Sequence, residues 1–199
     1  MARKTDIPGR VLEAALALAA KRKWCDITLA DIAVEGDLTL AQALGAARGK
    51  TEILAEFARR IDAEVAKGTD LADLEQPARE RLFDVMMRRF DAMAGHRESL
   101  RGIVAGLRCD PVATACAAPL TLRSMAAMLE CAGINSGGII GLVRAKGLVA
   151  IYLATLKVWL DDDSEDLGPT MAALDKRLAG AERLIQRCCP KPREAAAAA

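Results

Sequence analysis

The chain contains 199 residues, among them 40 alanines and 25 leucines but only six aromatic residues. Alanine and leucine favour helices, whereas strands favour β-branched and aromatic side chains, so this balance predicts an all-α protein. With 28 basic and 27 acidic residues the formal net charge is +1, which provides no global attraction for nucleic acid. Any DNA binding must therefore come from the local placement of basic groups.

Several features of the sequence predict a cytoplasmic protein without a stable membrane insertion. The N-terminus has no apolar secretory segment. The most apolar stretch, residues 137–160, is interrupted by Arg144, Lys146 and Lys157, whereas a membrane span needs roughly 20 residues almost free of charge. The six cysteines form no CxxC pair and His96 is the single histidine, so we expect neither a metal site nor a cofactor.

Four helices are predicted in the first 68 residues. Thr28 and Asp31 are spaced as a capping box, which marks the start of a helix. Thr39 and Thr51 are further candidate N-caps, and Gly49 separates their helices. The expected helices cover about residues 8–20, 29–35, 40–48 and 51–68.

Five longer helices are predicted in the second half. Prolines 77, 111 and 169 favour the first turns of helices. Pro119 lies inside the third of these helices and predicts a kink or break there. The expected helices cover about residues 77–94, 97–107, 111–131, 136–160 and 169–189, which gives nine helices in all.

Four N-terminal segments resemble the helix-turn-helix domain of TetR-type repressors, and their spacing fits that family without a gap. The segments are Leu-Glu-Ala-Ala-Leu at 12–16, Ile-Thr-Leu-Ala-Asp-Ile-Ala at 27–33, Asp-Leu-Thr at 37–39 and Lys-Thr-Glu-Ile-Leu at 50–54. The resemblance implies a nine-helix TetR-like fold whose third helix enters the DNA major groove. It also implies a C-terminal domain that binds a small apolar effector and forms a homodimer through its last two helices.

This resemblance divides the chain into four parts. They are a helix-turn-helix head at 1–50, a linking helix at 51–68, a ligand-binding and dimerisation domain at 77–190, and a tail at 191–199. The head's candidate DNA contacts are Thr28, Thr39, Gln42, Arg48 and Lys50. Glutamine can bind adenine through two hydrogen bonds, whereas basic side chains, including those of an arm at Arg3 and Lys4, bind phosphates. The alternative is that Gln42, Arg48 and Lys50 are solvated surface residues.

The predicted third helix departs from the TetR pattern. Members of that family typically carry aromatic residues where this chain has Leu44 and Ala47, and Gly45 interrupts the helix. A glycine inside a helix costs about 1 kcal/mol relative to alanine. These departures weaken the case for base recognition.

The second half is similar to the Coq-nine family, which comprises lipid-binding accessory proteins of ubiquinone biosynthesis. The similarity spans roughly residues 77 to 187 and rests on residues 100–101, 144–152, 155, 159–164, 170 and 174–177. That family has a TetR-like fold with a large apolar cavity, and its helix-turn-helix region is regarded as no longer binding DNA. The alternative function is therefore a lipid or isoprenoid carrier with a vestigial head.

Methionines concentrate in the second half, where flexible and polarisable side chains can line an adaptable apolar pocket. Tyr152 and Trp159 are seven residues apart and share one helix face. The candidate pocket residues are Met86, Phe90, Met125, Met128, Tyr152 and Trp159. Plain core packing is the alternative for the methionines, and a core or dimer-seam position is the alternative for Tyr152 and Trp159.

The sequence favours a regulator over an enzyme. It contains no P-loop, no dinucleotide-binding glycine motif and no GxSxG motif. The acidic run 161–166 lacks the glycine turn and distal glutamate of a calcium loop, so we expect a solvated connection there. The predicted function is a transcriptional regulator whose partners are a DNA operator, an apolar small molecule or lipid, and a second copy of the chain.

Overall fold

The computed structural model describes residues 6–69 and 75–188. Nine α-helices and no β-strand occur within these ranges, so the predicted all-α, nine-helix fold is confirmed. The predicted Arg3–Lys4 arm and the tail lie outside the described residues. The helices are α1 (Ile7–Ala19), α2 (Leu29–Glu35), α3 (Leu40–Ala46), α4 (Lys50–Lys67), α5 (Ala78–Met93), α6 (Arg97–Arg108), α7 (Pro111–Cys131), α8 (Gly138–Leu160) and α9 (Gly168–Cys188).

Side-chain caps set most of the predicted helix starts in the head. Asp6 accepts a hydrogen bond from the backbone of α1, and Thr28 and Thr39 form complete capping boxes at α2 and α3. The expectation that Thr51 caps α4 is wrong. That helix begins at Lys50 after Gly49, so Thr51 already lies in the first turn.

The predicted break at Pro119 does not occur. Helix α7 continues through this residue, although proline removes one backbone hydrogen bond from a helix. Most of residues 111–120 are exposed or half-buried. Water can therefore reach the backbone carbonyl group that Pro119 leaves without a partner.

The helices form a head and a body that share α4. Helix α1 packs against α2 and α3, and it also contacts α4 and α6. Helix α4 also packs against α5 and α7 of the body. Helix α8 packs between α7 and α9. Helix α4 therefore links the head to the body, together with the contact between α1 and α6.

Helices α7 and α8 are long and apolar enough, by length and composition alone, to cross a membrane. Both pack against other helices of the bundle, and the core helices of water-soluble proteins pass the same test. Their apolar composition is therefore weak evidence for a membrane.

Two glycines of α6 allow the head to approach the body closely. A Cβ atom at Gly102 would lie 2.0 Å from the carbonyl oxygen of Ala19, at the end of α1. At Gly106 it would lie 2.6 Å from the Cβ of Trp24. Residues with side chains cannot replace these glycines unless the head moves, because the first neighbour is backbone and Trp24 is buried.

The acidic connection between α8 and α9 is not uniformly solvated, which corrects the expectation for residues 161–166. Asp162 is buried, and its carboxylate accepts hydrogen bonds from the backbone and hydroxyl groups of Ser164 and Thr170. Burial raises the pKa of Asp162, but these hydrogen bonds outweigh it and lower the pKa to about 2. Within the described ranges, no three His, Cys, Asp or Glu side chains are placed to hold a metal ion.

We predict that Asp162→Asn destabilises the protein in a pH-dependent way. The folded-state pKa of about 2 lies below the ordinary value of 3.8, so the charge stabilises the fold above about pH 4 and ceases to do so as the pH falls towards 2. Urea unfolding should show a loss of about 2 kcal/mol at pH 7. The exposed neighbour provides the control, Asp163→Asn, which should have no effect. A deficit in Asp162→Asn that persists unchanged at pH 2.5 would contradict this assignment.

We predict opposite effects of alanine at two glycines. Gly102→Ala should reduce the free energy of unfolding by about 2 kcal/mol, because the new methyl group collides with the backbone of Ala19. Gly45→Ala should raise it by about 0.5–1 kcal/mol, because its Cβ would meet no atom within 4 Å. Thermal and urea unfolding of both variants test this difference, and effects of the same sign would refute it.

Candidate functional site

Helices α2 and α3 form the helix-turn-helix unit of the head. Asp37 sits between them with a φ of 48°, a left-handed conformation that aspartate adopts more readily than most residues. The guanidinium group of Arg10 fixes this turn by donating to the carbonyl oxygens of Gly36 at 2.7 Å and Asp37 at 2.6 Å. Helix α3 buries Ala43, so its opposite face points away from the core.

Two of the predicted DNA-contact residues close the capping box of α3. The Oε1 atom of Gln42 accepts a hydrogen bond from the backbone N–H of Thr39 at 2.9 Å. The Oγ1 atom of Thr39 accepts one from the backbone N–H of Gln42 at 3.2 Å. Gln42 must leave this arrangement before it can bind an adenine with both of its amide atoms.

Thr28 plays the same capping role at α2. Its hydroxyl group accepts a hydrogen bond from the backbone of Asp31 at 3.1 Å and donates one to the Asp31 carboxylate at 2.7 Å. Hydrogen bonds from Thr28, supported by Arg22, lower the pKa of Asp31 to about 2. Asp31 therefore remains charged at physiological pH and holds the start of α2.

The side chain of Lys50 is bound within the head, whereas the side chain of Arg48 is exposed to solvent. The ammonium group of Lys50 donates to the carbonyl oxygens of Trp24 at 2.7 Å and Cys25 at 3.1 Å. It also lies 5.3 Å from the centre of the Trp24 ring. The side chain of Arg48 is exposed and makes no hydrogen bond or ion pair within the described residues. Among the five candidates, Arg48 is therefore the basic residue whose side chain is free to bind a DNA phosphate.

The outer surface of the helix-turn-helix unit carries several exposed apolar side chains. Leu40 and Leu44 of α3 are 48% and 46% exposed, and Val34 of α2 is also exposed. Such side chains can contact the methyl groups of thymine but cannot attract phosphates. Contacts with bases and contacts with the DNA backbone would thus come from different residues.

The structure brings the six candidate pocket residues together in the body core. All six are buried. The Phe90 ring lies 6.0 Å from the Tyr152 ring and 5.7 Å from the Trp159 ring. Neither of the two cavities described below is lined by any of these six residues.

A buried arginine lies beside this cluster, and the sequence analysis missed it. Arg89 of α5 is 4% exposed and forms an ion pair with Asp62 of α4. Ser124 of α7 donates a hydrogen bond to the same carboxylate oxygen at 2.6 Å. The guanidinium group also lies 5.2 Å from the centre of the Tyr152 ring. One charged group thus connects four helices.

Three buried polar atoms in this core have no hydrogen-bond partner within the described residues. They are Arg89 Nε, Thr155 Oγ1 and Trp159 Nε1. A buried polar group without a partner costs about 1–3 kcal/mol. Each of these atoms can donate a hydrogen bond, so a ligand with acceptor groups would suit them.

Two cavities lie elsewhere in the described structure. The larger, about 600 Å³, lies between the head and the body and is lined by α1, the end of α3, α4 and α7. The other, about 520 Å³, lies among α1, the end of α2 and Arg60 of α4. No local sequence pattern predicts the larger cavity, because its walls come from helices far apart in the chain.

The fold is similar to solved structures of TetR transcriptional regulators. The regulator from Nitrosomonas europaea ATCC 19718 is 25% identical, with a TM-score of 0.66 over 88% of this chain and 98% of that chain. The one from Rhodococcus sp. RHA1 is 16% identical, with a TM-score of 0.65 over 89% and 96%. The one from Streptomyces coelicolor is 15% identical, with a TM-score of 0.55 over 94% and 86%.

These similarities define the class of fold. The chain has the fold of TetR-family transcriptional regulators. No protein-family model and no curated protein matches the sequence. None of the comparisons bears on the resemblance to the Coq-nine family, so the lipid-carrier function that it implies remains a prediction.

We predict that Lys50→Ala lowers the free energy of unfolding by about 1 kcal/mol, because it removes two hydrogen bonds and a cation–π contact. Urea unfolding measures this loss. Lys23→Ala is the matched control, since Lys23 is exposed and has no partner in the described part of the chain. Unchanged stability of Lys50→Ala would show that Lys50 does not brace the head.

Proposed function

We propose that the protein is a transcriptional regulator that binds DNA through the α2–α3 unit and changes its DNA affinity when it binds a small molecule. The main support for this proposal is the geometry of the head, together with the similarity of the whole fold to TetR regulators. Two capped helices are fixed around the Asp37 turn, and α3 keeps one face free of the core. A protruding helix of this kind suits the DNA major groove.

The proposed DNA contacts divide by role. Arg48 binds phosphate, and Leu40 and Leu44 pack against bases. Thr39 and Gln42 bind bases or phosphates once their capping box opens. Thr28 contacts phosphate at the start of α2 once its hydroxyl group releases Asp31, and Lys50 acts mainly by bracing the head.

We further propose a homodimer formed through α8 and α9. Apolar side chains are exposed on both helices, among them Ile139, Val143 and Leu153 on α8 and Leu184 and Ile185 on α9. Exposed apolar surface of this kind favours association with another protein surface. A second copy that presents the same two helices would cover it and complete a four-helix interface.

The body core is the proposed effector site that the sequence predicted. The buried core that contains Met86, Phe90, Met125, Met128, Tyr152 and Trp159 also holds polar atoms without partners within the described residues, and this supports an apolar effector carrying hydrogen-bond acceptors. Core packing remains the alternative for each residue. Since Asp62 of α4 is bound to Arg89 in this core, an effector that shifts Arg89 also shifts α4. The effector acts only through different affinities for the two head positions.

The test is DNA binding by the purified full chain. Selection from a random duplex library at low salt should recover a preferred sequence, and fluorescence anisotropy should then measure the affinity for it. Arg48→Gln should weaken binding to all sequences and reduce the slope of log affinity against log salt by about one per contact. Arg108→Gln provides the control, because Arg108 is exposed on α6 and outside the α2–α3 unit.

Two outcomes would overturn the regulator proposal. One is the absence of any preferred sequence at low salt. The other is an affinity that Arg48→Gln and Arg108→Gln reduce equally, since DNA would then bind the surface without using the head. An isoprenoid lipid that co-purifies with a chain unable to select DNA would instead favour the carrier function.

A further inference from the structure

We propose that the cavity between head and body binds an amphipathic carboxylate, with the apolar tail inside and the carboxylate on Arg123. None of the six pocket candidates lines this site, although Asp62 and Ser124 of the Arg89 network do. Any effect of this ligand on DNA binding rests on the proposed function, whereas binding of the ligand to the cavity does not.

The walls of this junction cavity suit an apolar tail. They include Val11 and Leu12 of α1, Ile53 of α4, and Leu120 and Ala127 of α7. The volume of about 600 Å³ lies within the range of small-molecule sites, roughly 300–1,000 Å³. A flexible chain of about ten carbons can therefore enter it.

Most of the charged groups that line the cavity are already ion-paired. Glu56 is paired with Arg59 and Arg60, each at 2.7 Å, and the hydrogen bond from Arg59 helps to keep its pKa below the ordinary value despite partial burial. Of the other two lining carboxylates, Asp62 is ion-paired, whereas Glu52 is bound, within the described residues, only by a neutral backbone N–H and keeps its charge. Asp62 binds Arg89, and Glu52 accepts a hydrogen bond from the backbone of Arg48 at 2.9 Å.

Arg123 of α7 differs from these residues. It lines the cavity, its side chain is exposed, and it has no ion pair or hydrogen bond within the part of the chain that the structure describes. A guanidinium group binds a carboxylate through two parallel hydrogen bonds. Arg123 thus gives the apolar cavity one unused cation at its solvent side, and this combination matches a fatty-acid-like molecule.

The location links such a ligand directly to the head. One wall comes from α1 and the end of α3, and the opposite wall comes from α7 of the body. A tail between these walls contacts both parts at once. Binding therefore favours those head positions that leave the cavity open.

Isothermal titration of the full chain with decanoate and with 1-decanol tests the site. Decanoate should bind, and Arg123→Gln should reduce its affinity about tenfold while leaving 1-decanol binding unchanged, since only decanoate uses the charge. Arg108→Gln, which removes a cation outside the cavity, should change neither affinity. Ala127→Leu, checked for folding by circular dichroism, should weaken both ligands because it fills the cavity.

Three results would overturn this inference. They are no binding of decanoate, equal affinities of the unmodified chain and Arg123→Gln for decanoate, and unchanged binding by a folded Ala127→Leu variant. The DNA assay separates the two proposals. Decanoate that binds through Arg123 in a chain with no preferred DNA sequence would leave the site standing and refute the regulator function. Selective DNA binding without decanoate binding would support the regulator function and refute the carboxylate site.

Discussion

The ion pair between Asp62 and the buried Arg89 is the interaction on which the rest of the body depends. A buried charge is tolerated only when it is paired, and removing one partner of such a pair is strongly destabilising. Here the pair joins α4 to α5, and Ser124 extends it to α7. Because α4 also contacts α1, the orientation of the head relative to the body is set partly by one carboxylate.

A second constraint acts at the other side of the head. The α6 glycines let the end of α1 and Trp24 lie almost against the α6 backbone, so this contact cannot tighten. On the α4 and α7 side the junction cavity leaves room between head and body. The head is thus closely packed along one edge and loosely packed along the other.

Local signals in the sequence were enough to predict the helices. The predicted box at Thr28 and the predicted N-cap at Thr39 both appear in the structure, and Gln42, three residues after Thr39, turns that cap into a second box. The role of Lys50 could not be predicted in this way, because its partners Trp24 and Cys25 lie about 25 residues earlier. Arg89 was missed for a similar reason. Its helix carries other arginines, and only tertiary packing distinguishes the buried one.

The capping box of α3 has a consequence for how the proposed regulator would find its site. Contacts of Arg48 with phosphates leave the Thr39–Gln42 box intact, so the head can slide along DNA with α3 fully formed. Specific binding by Gln42 breaks the hydrogen bond that its Oε1 atom accepts from the backbone of Thr39, which costs about 0.5–1.5 kcal/mol. Gln42 stays bound to a base only if that contact is worth more free energy than the hydrogen bond it gives up. The capping box therefore keeps Gln42 off non-matching sequences while the protein searches along DNA.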